Sequence, residues 1–144
     1  MKEKSISETA EELSLSGYPY ADYFLCECQK PVVQEFWNEY EPIVRQLNDD
    51  LSEIPKLYGQ EDLGMSAIVY AHYFGGATDI FITEFSEDDA FGYAILGGDY
   101  ENSELGYIPI REVVNIELLN LDFYWERKPL NQALHELDPS YFIG

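Results

Sequence analysis

The sequence predicts an α+β fold, an antiparallel β-meander of about five strands with helices packed mainly on one face. Two features of the chain lead there. Between Pro31 and Leu51 the apolar residues recur at three- and four-residue steps, the period of a helix. After Pro55 the period falls to two, in short runs joined by connections too brief for parallel crossovers. At 144 residues, with 46% hydrophobic and 15% aromatic residues, the chain can bury a real core. The expected organisation is an N-terminal helical extension, residues 1–53, packed on an α+β sheet domain, residues 54–144.

Each element has a local reason. Ser5 and Glu8 fit a capping box for a short helix over residues 5–16. The run GYPYADYFLCEC, rich in Tyr and Phe, reads as a turn and a strand, which would put Cys26 and Cys28 on one face. Val33, Phe36, Trp37, Tyr40, Ile43, Val44, Leu47 and Leu51 mark a helical stretch. Pro31 suits its first turn, and Pro42 implies a kink or two abutting helices. SAIVYAHYF (66–74), TDIFITEF (78–85) and AFGYAILG (90–97) read as three strands in hairpin succession. ELGYIPI gives a fourth and LDFYWE (121–126) a fifth. Short helices follow at REVVNIEL and at LNQALHEL, the latter opened by Pro129.

The charge is one-sided. Twenty-eight acids face eight Lys and Arg, a formal net charge of −20. Between Lys56 and Arg111 there are ten acids and no Lys or Arg. Six of them fall in two predicted loops: Glu87, Asp88 and Asp89, then Asp99, Glu101 and Glu104. Such a field repels nucleic acid and anionic membrane surfaces. No stretch reaches the roughly 20 apolar residues of a membrane span, and the N-terminal run lacks an apolar signal core. With two cysteines one residue apart, reduced thiols and a cytoplasmic setting are expected.

Residues capable of chemistry are sparse. Gly75-Gly76 and Gly97-Gly98 lack a phosphate-binding lysine and read as turns. Cys26, Cys28, His72 and His135 could supply four zinc ligands, but a Cys-x-Cys pair is not the usual knuckle. The loop with Asp99, Glu101 and Ser103 lacks the glycine and final acid of a calcium loop. No cofactor is expected. His72 and Glu84, on neighbouring strands, are the one pair that could serve a small hydrolase or a metal. The favoured reading of His72 is a strand histidine bonded to a carboxylate and packed on aromatics.

Tyr70, Tyr93, Tyr107 and Tyr124 fall in predicted strands and read as sheet packing. Aromatics beside carboxylates suit Arg and Lys recognition, the acid taking the charge and the ring the stem. The expectation is therefore a protein-binding inhibitor that meets a basic, nucleic-acid-handling host protein. Its six loop acids, exposed and close together in the meander, would stand where phosphates lie, with Tyr100 and Trp125 as anchors. The rivals are the hydrolase or metal protein and a structural subunit whose charge only solubilises.

IPKLYGQEDLG, IVYAHYFGGATDIFITEF, FGYAILGGD, ELGYIPIREV and LDFYWERKPL resemble, in order, the blocks of a domain-of-unknown-function family. Its members are short proteins carried on plasmids, integrative elements and phages. The resemblance covers residues 54–131 and implies an accessory gene of a mobile element, but no activity. In that setting the inhibitor expected from the charge would be of the anti-restriction, anti-CRISPR or immunity type.

Duplex DNA is expected not to bind near physiological salt, since no basic patch offsets the −20 charge. A metal-free gel-shift assay checks this, and micromolar retention would contradict it.

Overall fold

A computed structural model describes residues 15–143. The helix expected over residues 5–16 lies outside the described residues except for its end, where Leu15–Gly17 form a 3-10 turn. The first full helix, α1 (Pro19–Phe24), occupies the run expected to be a strand. Pro19 opens it, and Ala21, Phe24 and Leu25 are buried at helical spacing. Its exposed first amides are capped from another helix: Asn48 Oδ1 accepts from Tyr20 N at 2.8 Å and Ala21 N at 3.1 Å. The aromatic content that suggests a strand is thus spent on packing, where β propensity carries little information. Cys26 and Cys28 consequently share no strand face. Cys26 is buried and its thiol pushed up to about 12, whereas Cys28 is exposed.

Two abutting helices follow, α2 (Lys30–Glu35) and α3 (Trp37–Ser52). The break falls at Phe36, and Pro42 sits inside α3. The sheet strands are β1 (Ile68–Val69), β2 (Ala71–Gly75), β3 (Thr78–Ser86), β4 (Asp89–Ile95) and β5 (Glu104–Pro109). After β5 come a one-turn helix α4 (Ile110–Val113), β6 (Asn120–Leu121), β7 (Lys128–Pro129) and α5 (Leu130–Leu137). The main sheet is antiparallel, in the order β5-β4-β3-β2-β6, and β1 pairs with β7 in a second, two-stranded sheet. The class is α+β, as the hydrophobic periods predict. The fifth strand is shorter than expected because Asp122 Oδ1 accepts from Tyr124 N at 2.9 Å, an Asx turn that ends β6.

Strand alternation gives the sheet two faces. Ala71, Tyr73, Ile80, Ile82, Ala90 and Ile108 pack with α1 to α4 in the larger core. Phe81, Tyr93 and Ile95 pack with Leu130, Ala133 and Leu134 of α5 on the other face. Helices thus lie mainly on one face. A β-bulge between Ile82 and Glu84 brings the β3 backbone close to Gly92: an added Cβ there would meet Phe81 O at 1.8 Å. Only glycine fits opposite the bulge.

The chain pairs with β3 through β2 and with β7 through β1, and the crossing between the two sheets would leave backbone groups without partners. Gln60, itself buried, fills the gap. Its Nε2 donates to Thr83 O at 2.7 Å and Ile68 O at 2.9 Å, and its Oε1 accepts from Ile68 N at 2.7 Å. Beside it the buried Glu84 carboxylate accepts from Tyr58 N at 2.9 Å and Gln60 N at 2.7 Å. These bonds fasten residues 55–66 across the sheet as a strap.

Gln60→Ala orphans three backbone groups at once, and each buried orphan costs about 1–3 kcal/mol. Partial access of water should leave a net loss of about 3 kcal/mol in urea unfolding. A loss below about 0.5 kcal/mol would show that the bracket is not structural.

Candidate partner-binding surface

Glu87 and Asp88 form the tip of the β3–β4 turn and, with Asp89, are exposed. Asp99, Glu101 and Glu104 are likewise exposed, around the β4–β5 connection. The two acidic groups are not neighbours, although the sequence reading places them close together in the meander. Consecutive hairpins lie at opposite ends of the strand they share. The six steps of β4 from Asp89 to Ile95 at about 3.4 Å each put them roughly 20 Å apart. None of the six pairs with a cation among the described residues. Asp88 accepts from Tyr23 Oη at 3.1 Å, and Asp99 accepts from Asn102 Nδ2 at 2.7 Å.

The two expected anchors are engaged within the chain. Tyr100 is half-buried, its ring 4.9 Å from that of Tyr141 and 5.1 Å from that of Phe142. Trp125 donates from Nε1 to Val69 O at 2.9 Å and packs on Phe81 and His72. Both belong to the smaller core, where an acidic loop and an aromatic-rich strand were expected to display them.

A different aromatic pair is free. Tyr58 on the strap is 63% exposed and Tyr107 on β5 is 61% exposed, with their hydroxyls 3.0 Å apart. The contact with Tyr58 raises the Tyr107 phenol above its ordinary 10.0, with burial, Asp89 and Glu84 adding to it. Tyr107 and Tyr124 were expected to be sheet packing. Tyr107 does pack edge-on against its cross-strand partner Phe91 at 5.5 Å but is otherwise exposed, and Tyr124 lies in the turn after β6, 75% exposed. Under the Tyr58–Tyr107 pair is a pocket of about 180 Å³, lined by Glu84, Gln60, Thr83, Phe91 and Leu105. It falls short of the ~300–1,000 Å³ typical of small-molecule clefts, which suits the end of one side chain. Tyr58 has φ +71°, a left-handed conformation rare for a bulky residue. The Glu84 carboxylate on its N–H holds it there. Strain of this kind collects at functional positions.

A second cavity of about 250 Å³ lies on the opposite face, lined by Gly92, Ala94, Asp99, Asn102, Glu104 and Gly106. Tyr107 borders both cavities.

The pair His72–Glu84 is not assembled. His72 Nε2 lies 2.8 Å from Asp79 Oδ1, its Nδ1 is 3.6 Å from Asp122 Oδ2, and its ring stacks on Phe81 at 4.7 Å. Glu84 is committed to the strap amides. His72 is therefore a histidine held by carboxylates on an aromatic bed. His135 Nδ1 meets Phe142 O at 2.7 Å, and Cys28 Sγ approaches Leu119 O at 3.4 Å. Among the described residues no group of three or more His, Cys, Asp or Glu could hold a metal ion. No helix among them is long and apolar enough to cross a membrane.

No known protein family, curated protein or solved structure matches this chain. The resemblance over residues 54–131 stands on its sequence blocks alone.

The sequence reading missed Tyr58 and Gln60 and placed Tyr107 in the sheet packing. A signal for Tyr58 was present in Tyr58-Gly59, a turn pair ahead of the first strand, though the glycine predicts the left-handed position one residue late. Tyr58→Gly tests whether the strained residue is there for its ring. Glycine accepts φ +71° freely, so urea unfolding should show a loss of no more than about 1 kcal/mol, or a gain. A loss above about 2 kcal/mol would make the ring structural.

Proposed function

We propose that this is a non-enzymatic interaction protein that binds a basic, nucleic-acid-handling protein and occupies surface that otherwise receives phosphates. The observation that carries the reading is where the cations go. Lys30 is held by Asp22 and Glu27, Arg45 by Glu41, Arg127 by Asp50 and Glu53, and Lys128 by Glu136. Arg111 lies 3.9 Å over the Tyr23 ring. Among the described residues only Lys56 has no carboxylate or ring partner. The six loop acids are left without a cation, as are Glu35, Glu39 and Asp49 on the helices, but the six gather at the two ends of one strand pair.

Solubility alone explains net charge but not the gathering of acids without cations at the two ends of the sheet. Screening over about 8 Å at 0.15 M salt keeps the two acidic ends electrically independent. A partner must therefore present basic groups at both, which is the geometry of an extended nucleic-acid groove. Steering by such patches acts on association rate and fades with salt. The mobile-element context suggested by the sequence blocks fits an inhibitor of a host nuclease or defence protein. The second reading, a hydrolase built on His72 and Glu84, has no assembled pair to favour it.

Affinity capture from host lysate supplies the partner, which is then purified and titrated. Duplex DNA should compete with the acidic protein for it. Reversing Glu87, Asp88 and Asp89 to Lys should weaken binding by at least about tenfold, and reversing Asp99, Glu101 and Glu104 likewise. Reversing Glu35, Glu39 and Asp49, exposed on α2 and α3, shifts net charge equally and should cost little. Equal losses from all three variants would mean that bulk charge governs binding, and the phosphate-mimic reading would fail.

A further inference from the structure

We propose that the outer edge of β5 is a strand-addition site, taking an extended basic segment of the partner as a sixth strand of the main sheet. An Arg or Lys side chain of that segment enters the pocket beneath Tyr58 and Tyr107. The inference rests on the reading of a basic partner and specifies how it is held.

β5 is the terminal strand of the order β5-β4-β3-β2-β6. Among the described residues nothing pairs with its outer side. An edge strand turns alternate N–H and C=O groups away from its neighbour, ready to bond another chain. Sheets usually blunt such edges with charge, proline or a bulge. Here Glu104 and Pro109 stand only at the ends, and Leu105–Ile108 between them carry no charge, no proline and no recorded bulge.

The surroundings select the occupant. Ala94 pairs with Glu104, and Asp89 pairs with Pro109, so the edge runs from one acidic group to the other. An extended segment along it spans both ends, which the roughly 20 Å of strand would otherwise keep apart. Its alternate side chains would fall on opposite faces. One set meets the pocket of Glu84, Tyr58 and Tyr107, where a carboxylate and two rings suit a guanidinium or ammonium group. Glu84 gives its oxygens two backbone bonds and keeps further acceptor capacity, since a carboxylate has about four lone-pair sites. The other set meets the cavity of Gly92, Gly106, Asp99 and Glu104, where the two glycines leave the sheet surface open. A second copy of this chain is a poor occupant. Antiparallel pairing of two β5 edges would bring Glu104 of one toward Asp89 of the other, between molecules of charge −20.

The probe is a labelled peptide of about eight residues, alternating Arg and Val, followed by fluorescence anisotropy at low salt. Two derivatives carry the same charge but N-methylate either all Arg amides or all Val amides. Strand addition predicts that one derivative loses about tenfold in affinity while the other is little changed, because only one set of amides faces β5. The amides of Leu105–Ile108 should gain hydrogen-exchange protection on binding. Tyr58→Ala with Tyr107→Ala should cost a further tenfold or so, with the fold checked by circular dichroism. Equal binding of both derivatives without β5 protection would overturn strand addition while leaving the charge reading intact. No peptide binding at any salt would overturn it too. So would sedimentation showing a dimer that protects β5 without peptide, since a second copy would then hold the edge. The charge reading fails separately, if the loop reversals and the helix reversals weaken the purified partner alike.

Discussion

Everything at one end of this molecule depends on the buried bracket of Gln60 and Glu84. The constraint is simple: the chain pairs with β3 through β2 but with β7 through β1. Where it turns from one to the other, the Ile68 and Thr83 backbone needs partners that no ladder supplies. Gln60 can supply two donors and an acceptor, and its amide does what a strand would do. Glu84 then has the amides of Tyr58 and Gln60 to satisfy it, which is why a buried carboxylate is tolerable there. The same carboxylate lines the pocket and pins Tyr58 in its strained conformation. Stability and the candidate site thus share atoms.

The meander translates that local arrangement into a charged surface. Because hairpins alternate ends, a chain with acids in successive turns places them at opposite poles of the sheet. The separation turns one large negative charge into two local ones, each with its own short range. Between them lies the β5 edge, with the tyrosine pair projecting beside it. A uniform acidic coat would attract any cation. This layout makes spacing and backbone direction matter as well, so discrimination can arise from geometry that charge alone lacks.

The sheet was legible in the sequence because each strand has a buried face, and a period-two pattern has only one register that buries it. The helix pair α2 and α3 was legible for the same reason at the longer period. α1 was not. Six residues are too short for a reliable period, and its cap comes from Asn48, many residues away. Acid placement in loops was readable, yet the distance between loops needed the alternation of hairpin ends to be followed through. Tyr100, Trp125 and Tyr107 show a further limit. A strand pattern assigns a residue to a face but not what covers that face. α5 and the C-terminal Tyr141 and Phe142 enclose the first two, whereas the third meets only Phe91 and Tyr58 among the described rings and stays exposed.

The distribution of cations also shapes the field of so acidic a chain. Self-repulsion is weakest to bear where acids already have a partner, and the ion pairs of Lys30, Arg45, Arg127 and Lys128 are on helices or beside them. Each exposed pair contributes at most about 1 kcal/mol, so these pairs do not make the fold. They matter by placement: every ion pair to a Lys or Arg among the described residues lies on or beside a helix, and none forms at the poles of the sheet. Under the proposed reading, a partner approaching along the field would be drawn to the poles and would there meet an open backbone edge. Long-range attraction and short-range recognition would then coincide on β5, and the Glu84 bracket that lines the pocket also holds in place the strap that flanks it.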